Sequence, residues 1–229
     1  MEKNVLWLIW QDPEKRNRYK IAELAKTSYG FEFKYDKDGV KEAKKAKFEL
    51  LPAFSDIDKV YENQRMFPAF TTRLPDKRRK NIKEILEKYE LEEYNEFEFL
   101  KKNGGKLPTD MLEFVEPINF ENNEKNFKRD FYLAGIRYYI EDIEKLKKMG
   151  LTEYERLILK KEPCNEFDEC AIEVFSKENA KLGYIPKYFS KAISIAIDNN
   201  YKIDCKVSKV YYDDIRESIE VELEILIES

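Results

Sequence analysis

The stretch KKEPCNEFDECAIEV, residues 160–174, decides how the second half of this 229-residue chain is read. It carries two of the three cysteines, Cys164 and Cys170, and five carboxylates between Glu162 and Val174. A metal site, a redox pair and a ligand-binding loop are the readings open to it. Zinc is usually held by four ligands, with histidine and thiolate dominating. The chain has no histidine, and Cys205 sits in an apolar-alternating run. A zinc site would have to join all three cysteines to Asp168 or Glu169, a set that runs against those preferences. Disulfides belong to oxidising compartments and are densest in small domains that lack a sufficient core. Three cysteines in 229 residues fit neither description. Reduced thiols and no metal are therefore expected.

The missing histidine excludes Ser-His-Asp and Cys-His nucleophile systems and any histidine general base within the chain. Seven glycines form neither G-x-G-x-x-G nor the G-x-x-x-x-G-K-[ST] phosphate loop. A carboxylate nuclease built on Asp168, Glu169 and Glu173 would need hard oxygen ligands gathered around two metals, and no clustered motif supplies them. The expectation is a non-enzyme with no catalytic residue and no cofactor. Residues 1–120 hold 24 basic and 23 acidic side chains, and residues 121–229 hold 18 and 23. Neither part is a broad positive surface, so any nucleic acid must be bound through a local site. The apolar run VLWLIW is six residues long, too short for a membrane span or a signal peptide. No membrane partner and a cytoplasmic location are expected.

Read along the chain, Val5 to Trp10, RYKIAEL and FEFKY are strand-like, separated by turn signals at Gln11-Asp12-Pro13 and Ser28-Tyr29-Gly30. FELLPAF is a short apolar piece broken by Pro52. In DKRRKNIKEILEKYEL the spacing of Ile82, Ile85, Leu86 and Tyr89 predicts a surface helix. NEFEFLKKNGG reads as a short helix stopped by Gly104-Gly105, and LPTDMLEFVEP as a turn and a strand ending at Pro117. The asparagine-rich NFENNEKNFK marks a linker at 119–126 between a first domain, 1–118, and a second, 127–229. In the second, FYLAGIRYYI (131–140) has the composition of a strand, EDIEKLKKMG that of a short helix. ERLILKKEP, CAIEVFS and KLGYIP are strands, and KYFSKAISIAIDNN an amphipathic helix with Phe189, Ala192, Ile193, Ala196 and Ile197 at helical spacing. YKIDCKVSKVYY and SIEVELEI close the chain as strands, the last expected at a sheet edge with glutamates guarding it. The fold class is α+β, with two small domains, the second a β-barrel-like unit with one helix across it.

Taken in order, FYLAGIRYY, KKEPCNEFDECAIEV, KLGYIP and KYFSKAISIAID resemble the HIRAN domain over roughly residues 127–210. That family shows an aromatic-rich first strand with a glycine. A loop of the form [KR]-x-P-x-N-x-[YF]-D-x-x-A-I-x-V follows, then L-G-[YH]-[IL]. The resemblance makes the opening stretch a family turn in which Cys164 and Cys170 hold variable positions, within an OB/SH3-like barrel. It implies a module for single-stranded DNA or a free 3′ end. Tyr138, Tyr139 and Phe167 would stack bases, Arg137 and Lys187 would hold phosphates, and Asp168 would accept a hydrogen bond from a terminal 3′-hydroxyl. Asn165 and Tyr184 complete the implied nucleic-acid-binding set. Phe167 stands where tyrosine is common, and Tyr184 where histidine occurs. On residue type alone, Asn165 and Asp168 serve equally well as turn residues, and strand tyrosines as packing.

Residues 5–117 resemble, more loosely, the small N-terminal domain of HipA-type toxin kinases. The points of contact are VLWLIW, FEFKY, FELLPAF, MFPAFTTRLPDKRRKNI and FEFLKKNGGKLPTDMLEFVEP. The kinase portion has no counterpart in the chain. Arg73, Lys77, Arg78, Arg79 and Lys80 form a basic cluster that reads as a solvated helix face. Two functions follow as expectations. One is a non-enzymatic DNA-binding adaptor whose first domain contacts a protein. The other is a regulatory or antitoxin-like partner of a HipA-type kinase or other effector encoded separately.

Overall fold

A computed structural model describes residues 4–107, 110–120 and 125–227. The chain divides into two compact units, residues 1–117 and 118–229. The first begins with three antiparallel strands, β1 (Asn4–Gln11), β2 (Arg18–Thr27) and β3 (Gly30–Tyr35), followed by α1 (Lys37–Lys45). Then come β4 (Tyr61–Asn63), α2 (Pro68–Thr71), α3 (Ile82–Lys88), α4 (Glu96–Asn103) and β5 (Leu112–Val115). The strands form one sheet in the order β4-β3-β2-β1-β5. Alternation in β1 and β2 turns Leu6, Leu8, Ala22 and Leu24 onto a core filled by Phe33, Phe54, Phe67, Phe70 and Phe114. The Phe33 and Phe54 rings stack at 4.0 Å between centroids.

Local chemistry sets the helix ends. Asp36 caps α1 by accepting from the Gly39 N–H at 2.9 Å, and Asn95 caps α4 through the N–H groups of Phe97 and Glu98. Gly104, at φ +68°, closes α4 in the left-handed conformation that spares glycine a steric cost. The helix expected in the DKRRKNIKEILEKYEL segment is α3, a surface helix with no fully buried residue. Arg73 is not part of an exposed basic cluster. It is buried, bonds the Gly105 carbonyl at 2.8 Å, and grips both Asp110 carboxylate oxygens. Arg78 is occupied by Asp76.

The second unit contains β6 (Asn126–Tyr132), α5 (Ile143–Met149), β7 (Ile158–Lys161), β8 (Ile172–Phe175) and β9 (Lys181–Tyr184). It ends with α6 (Lys187–Asp198), β10 (Lys202–Val210) and β11 (Ile219–Leu226). Of the stretch expected as linker, residues 121–124 lie outside the described residues, Asn126 opens β6, and the Phe120 ring packs on Phe127 and Tyr201. Two open three-stranded sheets, β10-β11-β6 and β7-β8-β9, are joined by isolated bridges at Ala134↔Tyr184 and Arg156↔Lys206. The strands thus follow one another round in barrel-like order. A Cβ on Gly183 would stand 2.5 Å from the Ala134 carbonyl oxygen, so the first bridge needs a glycine there. The helix α6 lies against β8 and β10, with Phe189 on Phe131 at 5.4 Å.

Two expectations fail here. FYLAGIRYYI is not one strand: β6 ends at Tyr132, Gly135 takes φ +73°, and Ile136–Tyr138 form a 3-10 turn. A left-handed glycine breaks the extended run despite its strand-like composition. The strand IEVELEIL is central between β10 and β6, so Glu220, Glu222 and Glu224 do not guard an edge. Polar partners on the flanking segments accommodate them: Lys128 pairs with Glu222 at 2.7 Å, the Tyr211 hydroxyl donates to Glu220 at 2.9 Å, and the Asn126 amide donates to Glu224 at 3.2 Å.

Candidate nucleic-acid interface

The loop between β7 and β8 is organised by Asn165. Its side-chain oxygen accepts from the N–H groups of Phe167 (2.9 Å) and Asp168 (3.1 Å), a local turn that asparagine forms readily. Its amide donates to Glu162 Oε2 at 2.8 Å. Asp168 continues the turn by accepting from the Cys170 N–H at 3.0 Å, while its other oxygen receives the Ser190 hydroxyl of α6 at 2.6 Å. Lys187, in the first turn of α6, donates to the Phe167 carbonyl at 2.7 Å. These bonds fix the loop backbone and leave the Phe167 ring 83% exposed.

The 3-10 turn after β6 brings a second group of side chains. Arg137 lies over the Tyr138 ring at 4.9 Å and donates to its hydroxyl at 2.9 Å, with Tyr138 itself 71% exposed. Tyr139 turns inward, its hydroxyl 3.1 Å from that of Tyr184. A Cβ at Gly135 would only touch the Tyr138 and Tyr184 rings at ordinary van der Waals distance, so the φ of +73° and not lack of space calls for glycine there. Tyr184 donates to Glu162 Oε2 at 2.8 Å, linking Tyr139 and Tyr184 back to Asn165. Tyr138 thus faces outward and Tyr139 inward, a split that the turn produces and not strand alternation.

Of the eight residues that the sequence singled out, Arg137 and Tyr138 form a pair of their own, and one set of contacts links Tyr139, Tyr184, Asn165, Asp168, Lys187 and the backbone of Phe167. Sequence reasoning missed Glu162, Lys181 and Ser190, which join them. Lys181 sits three residues before Tyr184, and Ser190 three after Lys187; only the fold shows what they meet. The bonds from Asn165 and Tyr184 hold the Glu162 carboxyl below its ordinary range. Burial pushes the Tyr184 hydroxyl up to about 12. Cys164 is exposed, Cys170 half-buried and Cys205 buried. Among the described residues no group of three or more cysteine, aspartate or glutamate side chains is arranged to hold a metal ion, and no helix is long and apolar enough to cross a membrane.

Over residues 127–229 the chain matches the family model of the HIRAN domain, and over residues 16–109 that of the HipA N-terminal domain. Both resemblances read from the sequence hold, the first reaching beyond residue 210. Among solved structures the chain is similar to the HIRAN domain of human HLTF at 18% identity, covering 45% of this chain and 81% of that one, with a TM-score of 0.36. It is similar to a structural-genomics protein from Lactobacillus plantarum at 24% identity, covering 45% and 99%, with a TM-score of 0.35. The HLTF HIRAN domain in its DNA-bound conformation, solved by NMR, is 19% identical over 44% of this chain and 73% of that one, with a TM-score of 0.30. No curated protein matches the chain.

Proposed function

We propose that the second unit binds single-stranded DNA, with a free 3′ end as the favoured ligand, in a non-enzymatic adaptor. One observation carries this reading. Two exposed aromatic rings each stand beside a cation, Tyr138 under Arg137 and Phe167 on the loop whose carbonyl Lys187 holds, with the Asp168 carboxylate next to Phe167 in that loop. Single-strand binding calls for aromatic faces that stack on bases and cations that hold phosphates. The match to the HIRAN family model supports it. The first unit is then the protein-contacting part, and reduced cysteines suit a cytoplasmic setting in which DNA ends are repaired.

Fluorescence anisotropy of the full chain with a short labelled single strand and a blunt duplex tests the proposal. Preference for the single strand at low salt is the expected result, and equal or absent binding overturns it. With few cations available, the salt dependence should be shallow, on the order of two or three phosphates neutralised.

A second reading has its own support in the HipA N-terminal match. In it the chain regulates, as an antitoxin-like partner, a HipA-type kinase or other effector encoded separately. Co-purification with such a kinase lacking its own small domain is its test.

A further inference from the structure

Lys181 stands at the floor of the candidate interface and has no part in the reading above. Its ammonium lies 4.4 Å from the ring centroids of both Tyr139 and Tyr184. It donates to the Tyr184 hydroxyl at 2.8 Å and pairs with Glu173 at 2.5 Å. The Lys181 and Glu173 side chains are only 20% and 19% exposed. This cation is already neutralised and roofed by two rings, unlike the exposed Lys187.

The hydrogen-bond directions around it are fixed by the groups involved. An ammonium only donates and a carboxylate only accepts. Tyr184 therefore accepts from Lys181 and sends its single proton to Glu162. The Tyr139 hydroxyl then donates to Tyr184. One arrangement satisfies every group, and it sets the orientation of both rings and, through Glu162, of the Asn165 turn.

We infer that Lys181 is a positioning residue of the strand-binding face: clamped between Tyr139 and Tyr184 and neutralised by Glu173, it holds both rings and the Asn165 loop in their binding geometry and contributes no charge to the ligand. This rests on the strand-binding reading. A phosphate ligand and a positioning residue differ in one measurable respect. Losing a phosphate contact lowers the salt slope of single-strand binding by about 0.7. Losing only the orientation of the Asn165 loop, and with it that of the stacking Phe167 ring, weakens binding equally at every salt concentration.

The test titrates fluorescein-labelled oligothymidylate into the full chain across a salt series. The variants are Lys181→Met, Lys181→Arg, and Lys181→Met combined with Glu173→Gln, which removes the carboxylate that the single change strands. The methionine variants should bind roughly fivefold or more weakly, the loss expected when a stacking ring is misplaced, with an unchanged slope. Lys181→Arg keeps a cation over the rings and should retain most of the affinity. In parallel, NMR of the free proteins should show the Lys181 ε-methylene shifted upfield by the two rings, and altered Tyr139 and Tyr184 ring signals in the methionine variants. A slope reduced by about 0.7 would make Lys181 a phosphate ligand and overturn the inference. Affinity unchanged in the double variant overturns it too. Absent binding by the unsubstituted protein overturns the strand-binding reading itself, and this inference with it.

Discussion

Ser190 Oγ donates to Asp168 Oδ2 at 2.6 Å, and this bond fastens the β7–β8 loop to the first turns of α6. Ser190 is buried, whereas the carboxylate is only partly covered. Ser190→Ala removes a hydrogen bond to a charged group, and the half-exposed Asp168 can recover part of the loss from water. Urea unfolding should show a loss of about 1 kcal/mol, below the roughly 1.5–3 kcal/mol that a fully shielded bond to a charged group contributes. Single-strand binding should weaken with it, because the loop that carries Phe167 loses its anchor. An unaltered unfolding midpoint would show that the bond is not needed to hold the loop.

The cysteines are expected to be dispensable. Replacing both Cys164 and Cys170 by serine should change stability by no more than about 0.5 kcal/mol, as for most surface substitutions, and leave binding intact. Burial pushes the Cys205 thiol up to about 12, so almost none of it is thiolate at neutral pH. The doubly substituted protein should therefore show no thiol reactive to a disulfide reagent until it is unfolded. Stoichiometric zinc in the unsubstituted protein, lost on that double change, would restore the metal reading of the loop.

Most elements were legible because their periodicity had one solution. KYFSKAISIAID can bury Phe189, Ile193 and Ala196 together only as a helix, and IEVELEIL alternates without exception. FYLAGIRYYI reads as a strand because aromatic and branched residues suit a strand and a partly buried turn alike. Only the φ of +73° at Gly135, which no spacing records, separates the two. The position of β11 inside its sheet was equally hidden, since a half-buried alternating strand looks the same at an edge and in the centre. At the candidate interface the sequence supplied the residue types. The contacts through Glu162, Lys181 and Ser190 depend on bringing β7, β9 and α6 together, which is tertiary information.

Arg73 and Asp110 offer an asymmetric stability test. Their side chains are 4% and 35% exposed. Asp110→Ala leaves a guanidinium buried without its carboxylate, and breaking such a pair costs about 3–5 kcal/mol. The partial exposure of Asp110 puts the expected loss near the lower figure. Arg73→Met keeps much of the buried volume and leaves a carboxylate that water can reach, so it should cost less. Chemical denaturation of both variants checks the order, and the reverse order would mean that the pair is not held together by burial of the arginine.

Asp130 is expected to cost stability at neutral pH. Partial desolvation against the neighbouring strand raises its pKa although the residue stays exposed, and Glu222 and Glu220 on that strand raise it further, against the opposing pull of Lys128. The folded protein therefore binds this proton more tightly than the unfolded chain. The stabilisation is complete below the ordinary aspartate value of about 3.9 and is lost as pH rises through the folded pKa. Asp130→Asn removes the titration and the like charge opposite Glu222. It should raise the melting temperature at pH 7, and the gain should shrink as pH falls into the carboxylate range. A gain that stays constant with pH would assign the effect to something other than this carboxylate.

End recognition is the sharpest consequence of the proposed function, and the bonds at Asp168 make it testable. Each carboxylate oxygen already accepts one protein hydrogen bond, from the Cys170 N–H and from Ser190, and each retains further acceptor capacity. A terminal 3′-hydroxyl can donate there, whereas a 3′-phosphate brings a second negative charge and no comparable donor. Losing a hydrogen bond to a charged group costs roughly 1.5–3 kcal/mol, so phosphorylating the 3′ end should weaken binding ~10-fold or more. Asp168→Asn keeps one oxygen that can accept, so the turn can survive the loss of charge. The variant should bind the hydroxyl-ended strand less well and narrow the gap between the two ends. Tyr138→Ala should weaken both ligands alike, because stacking contributes ~1–3 kcal/mol per base whatever the terminus. If the 3′-phosphate binds as well as the hydroxyl while single strands are still preferred to duplex, Asp168 only holds the loop, and the protein reads strands without reading their ends.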